Sequence, residues 1–136
     1  MKRSIIITLL GAGAVLGIIV HTHRVGATGP MTVHVTLKDY QVMLAQRHLP
    51  AGKPITFVIT NRGHYTHEFV LEPATAVDRA IRYHGTTYEA DEIKPGATRT
   101  VTWTIPQPGA YKLACHIDHH YQKGMKTLIT AVTTKT

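Results

Sequence analysis

The chain has 136 residues, a length that accommodates one globular domain, with fifteen Lys and Arg against eight Asp and Glu and a formal charge of +7. Hydrophobic residues make up 43% and charged residues only 17%, which excludes a disordered charged tail protein. A single cysteine, Cys115, excludes an intramolecular disulfide framework and stands among ten histidines.

Residues 1–27 read as an export leader. Lys2 and Arg3 provide a basic start, Ile5 to Val20 is uncharged and largely apolar, and Val25-Gly26-Ala27 places small residues at cleavage spacing. The competing reading is a retained membrane anchor through residues 5–20, which are short of the ~20 residues needed to span a bilayer. Either way the rest of the chain, residues 28–136, is expected in the periplasm or an equivalent extracytoplasmic compartment. Lys2, Arg3 and Arg24 go with the leader, so the remaining domain holds twelve basic and eight acidic residues, a charge of +4. It contains no block of like charge, so nucleic acid is not expected as a partner.

From residue 31 the pattern is that of short strands. Val33, Val35 and Leu37 alternate with His34, Thr36 and Lys38, and Val42 and Leu44 alternate again before a turn at Pro50-Ala51-Gly52. Ile55 to Thr60 is β-branched and aromatic, and Asn61-Arg62-Gly63 separates it from a strand starting at His67-Glu68-Phe69-Val70-Leu71. Ala74 to Tyr83 has apolar residues at helical offsets and is expected to form a short helix. Pro95-Gly96 and Pro108-Gly109 bracket a strand over Thr98 to Ile105, and strands over Gly109 to Cys115 and Met125 to Val132 complete the set. Six to eight short strands with Pro/Gly turns predict an all-β sandwich or barrel.

The last two strands enclose Cys115-His116-Ile117-Asp118-His119-His120-Tyr121-Gln122-Lys123-Gly124-Met125. Thiolate, imidazole and thioether are the soft and borderline donors that copper prefers, and Cys-x4-His-x4-Met lets one loop wrap a single ion. A fourth donor must come from elsewhere, and His67, opening a strand, is the strongest candidate. Two His, one Cys and a weak axial Met form the donor set of electron-transfer copper sites. Taken singly, Cys115 also reads as a small buried hydrophobe and Met125 as core packing. A free thiol outside the cytoplasm is an oxidation liability, which metal ligation would remove.

Asn61-x5-His67-Glu68-Phe69-Val70, Lys94-Pro95-Gly96 and Pro108-Gly109-x-Tyr111-x3-Cys115-x4-His120-x4-Met125 resemble the cupredoxins, small blue copper proteins of the plastocyanin and azurin type. The resemblance covers roughly residues 31–132. It implies a Greek-key β-sandwich with one type 1 copper ion, Cu(I) or Cu(II), bound by His67, Cys115, His120 and Met125. It also implies a monomeric one-electron carrier rather than an enzyme, working with a redox protein such as a cytochrome or terminal oxidase through the exposed edge of His120. Two departures stand out. Glu68 occupies a position that is commonly Asn, where its backbone N–H can still point at the Cys115 sulfur. His119 precedes His120 where relatives often have Gly, so it is a rival ligand at Cys-x3-His.

His116 is expected to point to the opposite face from Cys115. His34, His48, His64 and His84 lack paired spacing and are expected at the surface. Three other functions remain in contention. Cys115 to His120 resembles the last copper block of multicopper oxidases, but Ala114 replaces a needed His, and the single His-x-His pair, His21-Thr22-His23, lies in the leader. Periplasmic copper delivery or tolerance would use the same donors. A Cys–His hydrolase lacks an orienting acid.

Overall fold

The computed structural model describes residues 29–134. The alternation at residues 33–37 forms β1 (Met31–Lys38), with Val33, Val35 and Leu37 buried and their neighbours outward. It is followed by β2 (Gln41–Met43), β3 (His48–Pro50), β4 (Pro54–Asn61) and β5 (His67–Pro73). Beyond these lie β6 (Arg82–Tyr83), β7 (Thr86–Thr87), β8 (Glu89–Ile93), β9 (Thr98–Thr104), β10 (Gly109–Ala114) and β11 (Lys126–Val132). One sheet has the order β2-β1-β4-β9 and the other β3-β11-β10-β5-β8, with β6 and β7 forming a separate small hairpin. The pairs β1·β4 and β3·β11 are parallel and the remaining pairs antiparallel. The chain passes repeatedly from one sheet to the other, as in a Greek-key sandwich.

The two inner faces meet over an aromatic cluster. Phe57 of β4 lies 5.6 Å from Phe69 of β5 and 5.8 Å from Trp103 of β9, and Tyr88 stacks on Trp103 at 5.1 Å. The Tyr88 hydroxyl donates to the Thr104 carbonyl, so the buried ring keeps its polar end paired. Aliphatic side chains from both sheets, among them Leu37, Leu49, Ile59, Leu71 and Leu113, fill the space around these rings.

The expectation of six to eight strands is exceeded because β3, β6 and β7 are only two or three residues long and β8 is rich in acids. Such segments have no apolar alternation to announce them, and their pairing partners create them. The helix expected over Ala74 to Tyr83 does not form. Asp78 has φ of +54°, which breaks a right-handed helix, and Val77 points to solvent. The carbonyls of Ala74 and Ala76, which would serve such a helix, accept hydrogen bonds from the Lys112 ammonium instead. The segment is a series of turns laid over the end of β5.

Candidate metal centre

The β10–β11 hairpin sets the geometry of the loop between Cys115 and Met125. Its ladder ends at Ala114 and Lys126, and one further bond, from the Cys115 N–H to the Met125 carbonyl (3.1 Å), closes the loop at its neck. Inside, the Met125 N–H donates to the His120 carbonyl (3.0 Å) and the His120 N–H to Ile117 (2.8 Å). Gly124, with φ of +103°, makes the turn into Met125 that a side chain would strain. Cys115, His120 and Met125 are all buried, on backbone fixed by these bonds.

His67 enters from β5. Before it, the buried Asn61 side chain donates to the carbonyls of Tyr65 (2.8 Å) and Ile93 (2.7 Å) and accepts from the Gly63 N–H (2.8 Å). These three bonds fold residues 61–66 so that His67 reaches the open end of the sandwich.

There the Nδ1 atoms of His67 and His120 lie 3.2 Å apart, and Cys115 Sγ is 3.9 Å from the first and 3.5 Å from the second. A point equidistant from these three atoms lies about 2.1 Å from each, the length of a metal–imidazole bond and close to that of a metal–thiolate bond. The donor set therefore fits a first-row metal ion without rearrangement, and its softness favours copper. Met125, fully buried, follows the loop directly; its backbone bonds tie it to both Cys115 and His120.

Burial governs the protonation of these groups. It pushes the Cys115 thiol above its ordinary value, partly offset by backbone N–H groups including that of Glu68. It holds the His67 imidazole below its ordinary value, with His120 adding to the effect and Asp39 opposing it.

The structure brings His67, Cys115 and His120 together and leaves His119 exposed, with φ of +62°. The Glu68 N–H is directed at Cys115 Sγ at 3.5 Å. Its carboxylate turns elsewhere, accepting from the His116 N–H, and burial raises its affinity for a proton. His116 stacks on Tyr121 (4.7 Å) with its Nε2 3.4 Å from the buried Glu72 carboxylate, away from the cluster.

One expectation needs correction here. The His120 ring has no exposed edge: the residue is 2% exposed, beneath Tyr40 (5.4 Å) and Tyr65 (5.8 Å). Tyr40 reaches it because the β1–β2 turn holds that residue at φ of +65°. His64 lies at the surface as expected, and its Nδ1 and backbone N–H both bond the Asp39 carboxylate at 2.8 Å.

Asp39 is the residue that sequence reasoning missed. Chiefly because of its bond with His64, its carboxyl is held down to about 2. Its Oδ1 lies 3.6 Å from Nε2 of His67. A lone acid in a β1–β2 turn gives no sign of this in the sequence; the fold supplies it by pairing β1 with β4.

The cupredoxin-like domain model matches residues 9–129. The chain belongs to the cupredoxin-like domain family. This cupredoxin is 27% identical over 112 residues to the copper-resistant cuproprotein CopI of Rubrivivax gelatinosus, covering 73% of this chain and 65% of that protein. The chain thus spans just under two thirds of the length of the curated relatives it matches. Among solved structures it resembles auracyanin from Roseiflexus castenholzii, with a TM-score of 0.61 at 21% identity over 76% of this chain and 99% of that one. Auracyanin A, a "blue" copper protein of Chloroflexus aurantiacus, gives a TM-score of 0.62 at 19% identity over 76% and 100%. These likenesses bear on the fold.

Proposed function

We propose that residues 28–136 form an exported type 1 copper protein that carries single electrons between redox proteins, with residues 1–27 as its leader. The observation that carries this reading is the triangle of His67 Nδ1, His120 Nδ1 and Cys115 Sγ, already at coordination spacing among buried side chains. His67, Cys115 and His120 would hold the ion, with Met125 as the weak axial donor. Bound there, copper would supply a Cu(I)/Cu(II) couple exchanging one electron per cycle. The protein's part is to keep the donors still and water away. Cys115 and His120 sit on a loop pinned at both ends, and the segment leading into His67 is held by the Asn61 bonds to Tyr65 and Ile93. Donors that do not move cost little reorganisation on electron transfer.

Because His120 is covered, the route outward runs through Tyr65, which is 51% exposed and packs on the imidazole. Lys123 lies over the neighbouring Tyr40 ring at 4.8 Å, and the exposed Lys38 and Arg62 line a surface groove with Asp39 and His64. Aromatic rings with Lys123 beside them favour an acidic face on the partner, a cytochrome or terminal oxidase.

The test is to add Cu(II) to the purified domain and record visible and paramagnetic resonance spectra. An intense thiolate-to-copper band, absent in Cys115→Ser, is expected; without one the type 1 assignment falls. Similarity to CopI supports a second reading, copper handling or tolerance. Cyclic voltammetry separates the two. Reversible reduction with the copper retained supports the carrier, whereas loss of Cu(I) to a chelating acceptor on reduction supports handling.

A further inference from the structure

The Nδ1 of His67 faces the metal centre, but its Nε2, on the far side of a fully buried ring, has no hydrogen-bond partner among the described residues. What faces it is a carboxylate. Asp39 Oδ1 stands 3.6 Å away, fixed by the His64 N–H and Nδ1 (both 2.8 Å) and by the Tyr65 N–H (3.4 Å). Three donors on one carboxylate keep it ionised and oriented. The gap between carboxylate and imidazole is flanked by Gly63. A Cβ there would lie 2.3 Å from Asp39 Oδ1 and 3.0 Å from His67 Nε2. The local chain is therefore shaped around this approach.

We propose that Asp39 is a positioning residue for His67: its carboxylate holds the imidazole proton on Nε2 and so presents a bare Nδ1 to the metal. The inference rests on the copper reading above for its purpose, though not for its chemistry. A neutral imidazole carries one proton, and the tautomer is set by whichever ring nitrogen meets the better acceptor. At Nε2 that acceptor is an anion, which attracts an N–H and repels a lone pair. At Nδ1 the neighbours are a thiol sulfur and another imidazole. The proton therefore belongs on Nε2, leaving the Nδ1 lone pair directed between His120 and Cys115, where a ligand must offer it. The same charge sits behind the ligand ring, where it would stabilise Cu(II) over Cu(I).

The experiment uses the full chain, metal-free, with 15N-labelled histidine. Long-range proton–nitrogen correlation is expected to show His67 as the Nε2–H tautomer in the wild type. In Asp39→Ala the Nδ1–H form becomes populated and Cu(II) binding weakens by about 10–100-fold. Asp39→Asn keeps an oxygen acceptor, so it retains the tautomer, but loses the charge, so its reduction potential rises. A wild-type His67 protonated on Nδ1 overturns the inference. So does an Asp39→Ala variant with unchanged tautomer and affinity. Should Asp39→Ala fail to fold, Asp39→Asn decides, because a potential equal to that of the wild type rules the carboxylate out. A tautomer that follows Asp39 in a chain binding no copper would instead refute the copper reading and leave the positioning role intact.

Discussion

Replacing Gly63 by Ala tests the packing around the candidate centre most directly. Gly63 has no left-handed φ, so its backbone accepts an L residue without strain. At such a position Gly→Ala ordinarily stabilises a protein by about 0.4–1 kcal/mol, by restricting the unfolded chain. Here the new methyl group would stand 2.3 Å from Asp39 Oδ1 and 3.0 Å from both the Asp39 backbone nitrogen and His67 Nε2. Ordinary contact begins at 3.4 Å, so the carboxylate must retreat by about 1 Å. Rotating the Asp39 side chain does not relieve the clash with its own backbone. Overpacking of this kind costs roughly 1–3 kcal/mol, and after the unfolded-state gain a net loss of about 1–2 kcal/mol remains. In a domain of this size that lowers Tm by about 3–12 °C. Calorimetry of the metal-free protein measures it, with Gly29→Ala, whose methyl group meets nothing within 4 Å, as the control. Copper affinity of the Gly63 variant should fall as well, because His67 Nε2 is one of the three atoms crowded. A Gly63→Ala protein as stable as the control, with unchanged copper binding, would refute the account of this corner of the molecule.

Burial keeps the Cys115 thiol protonated at neutral pH, so Cu(II) binding should release its proton and affinity should rise about tenfold per pH unit between pH 6 and 8. Titration calorimetry in buffers of different ionisation enthalpy reads the proton directly, and its absence would mean a thiolate already present in the metal-free protein. Met125→Leu conserves volume at a fully buried position, so the fold and the copper should be retained and the potential should rise; complete loss of copper would contradict an axial role. Asn61→Ala strands the buried Ile93 carbonyl and frees Tyr65, with an expected cost of about 1–3 kcal/mol in denaturant unfolding. Wild-type stability in that variant would show that the 61–66 loop does not depend on the amide.

Much of this protein is legible in its sequence because its signals are local. Alternation at residues 33–37 and the β-branched run at 55–60 state which faces are buried, and each became a central strand. Cys115, His120 and Met125 lie within one hairpin loop, so their nearness follows from chain connectivity once β10 and β11 pair. Long-range features were not legible. The acids of Glu89–Ile93 mask a strand that exists because the edge of β5 needs a partner. The turns at 74–81 replace an expected helix because the Lys112 ammonium, distant in sequence, takes their carbonyls. Tyr40, Tyr65 and Asp39 carry no motif, yet two cover His120 and the third faces His67. The sequence by itself determined which atoms can act as soft donors and which residues line the core, since both are properties of side-chain type and spacing. Only the tertiary structure decided what surrounds those donors, because exposure and facing charge depend on which distant loops the sandwich brings to one end.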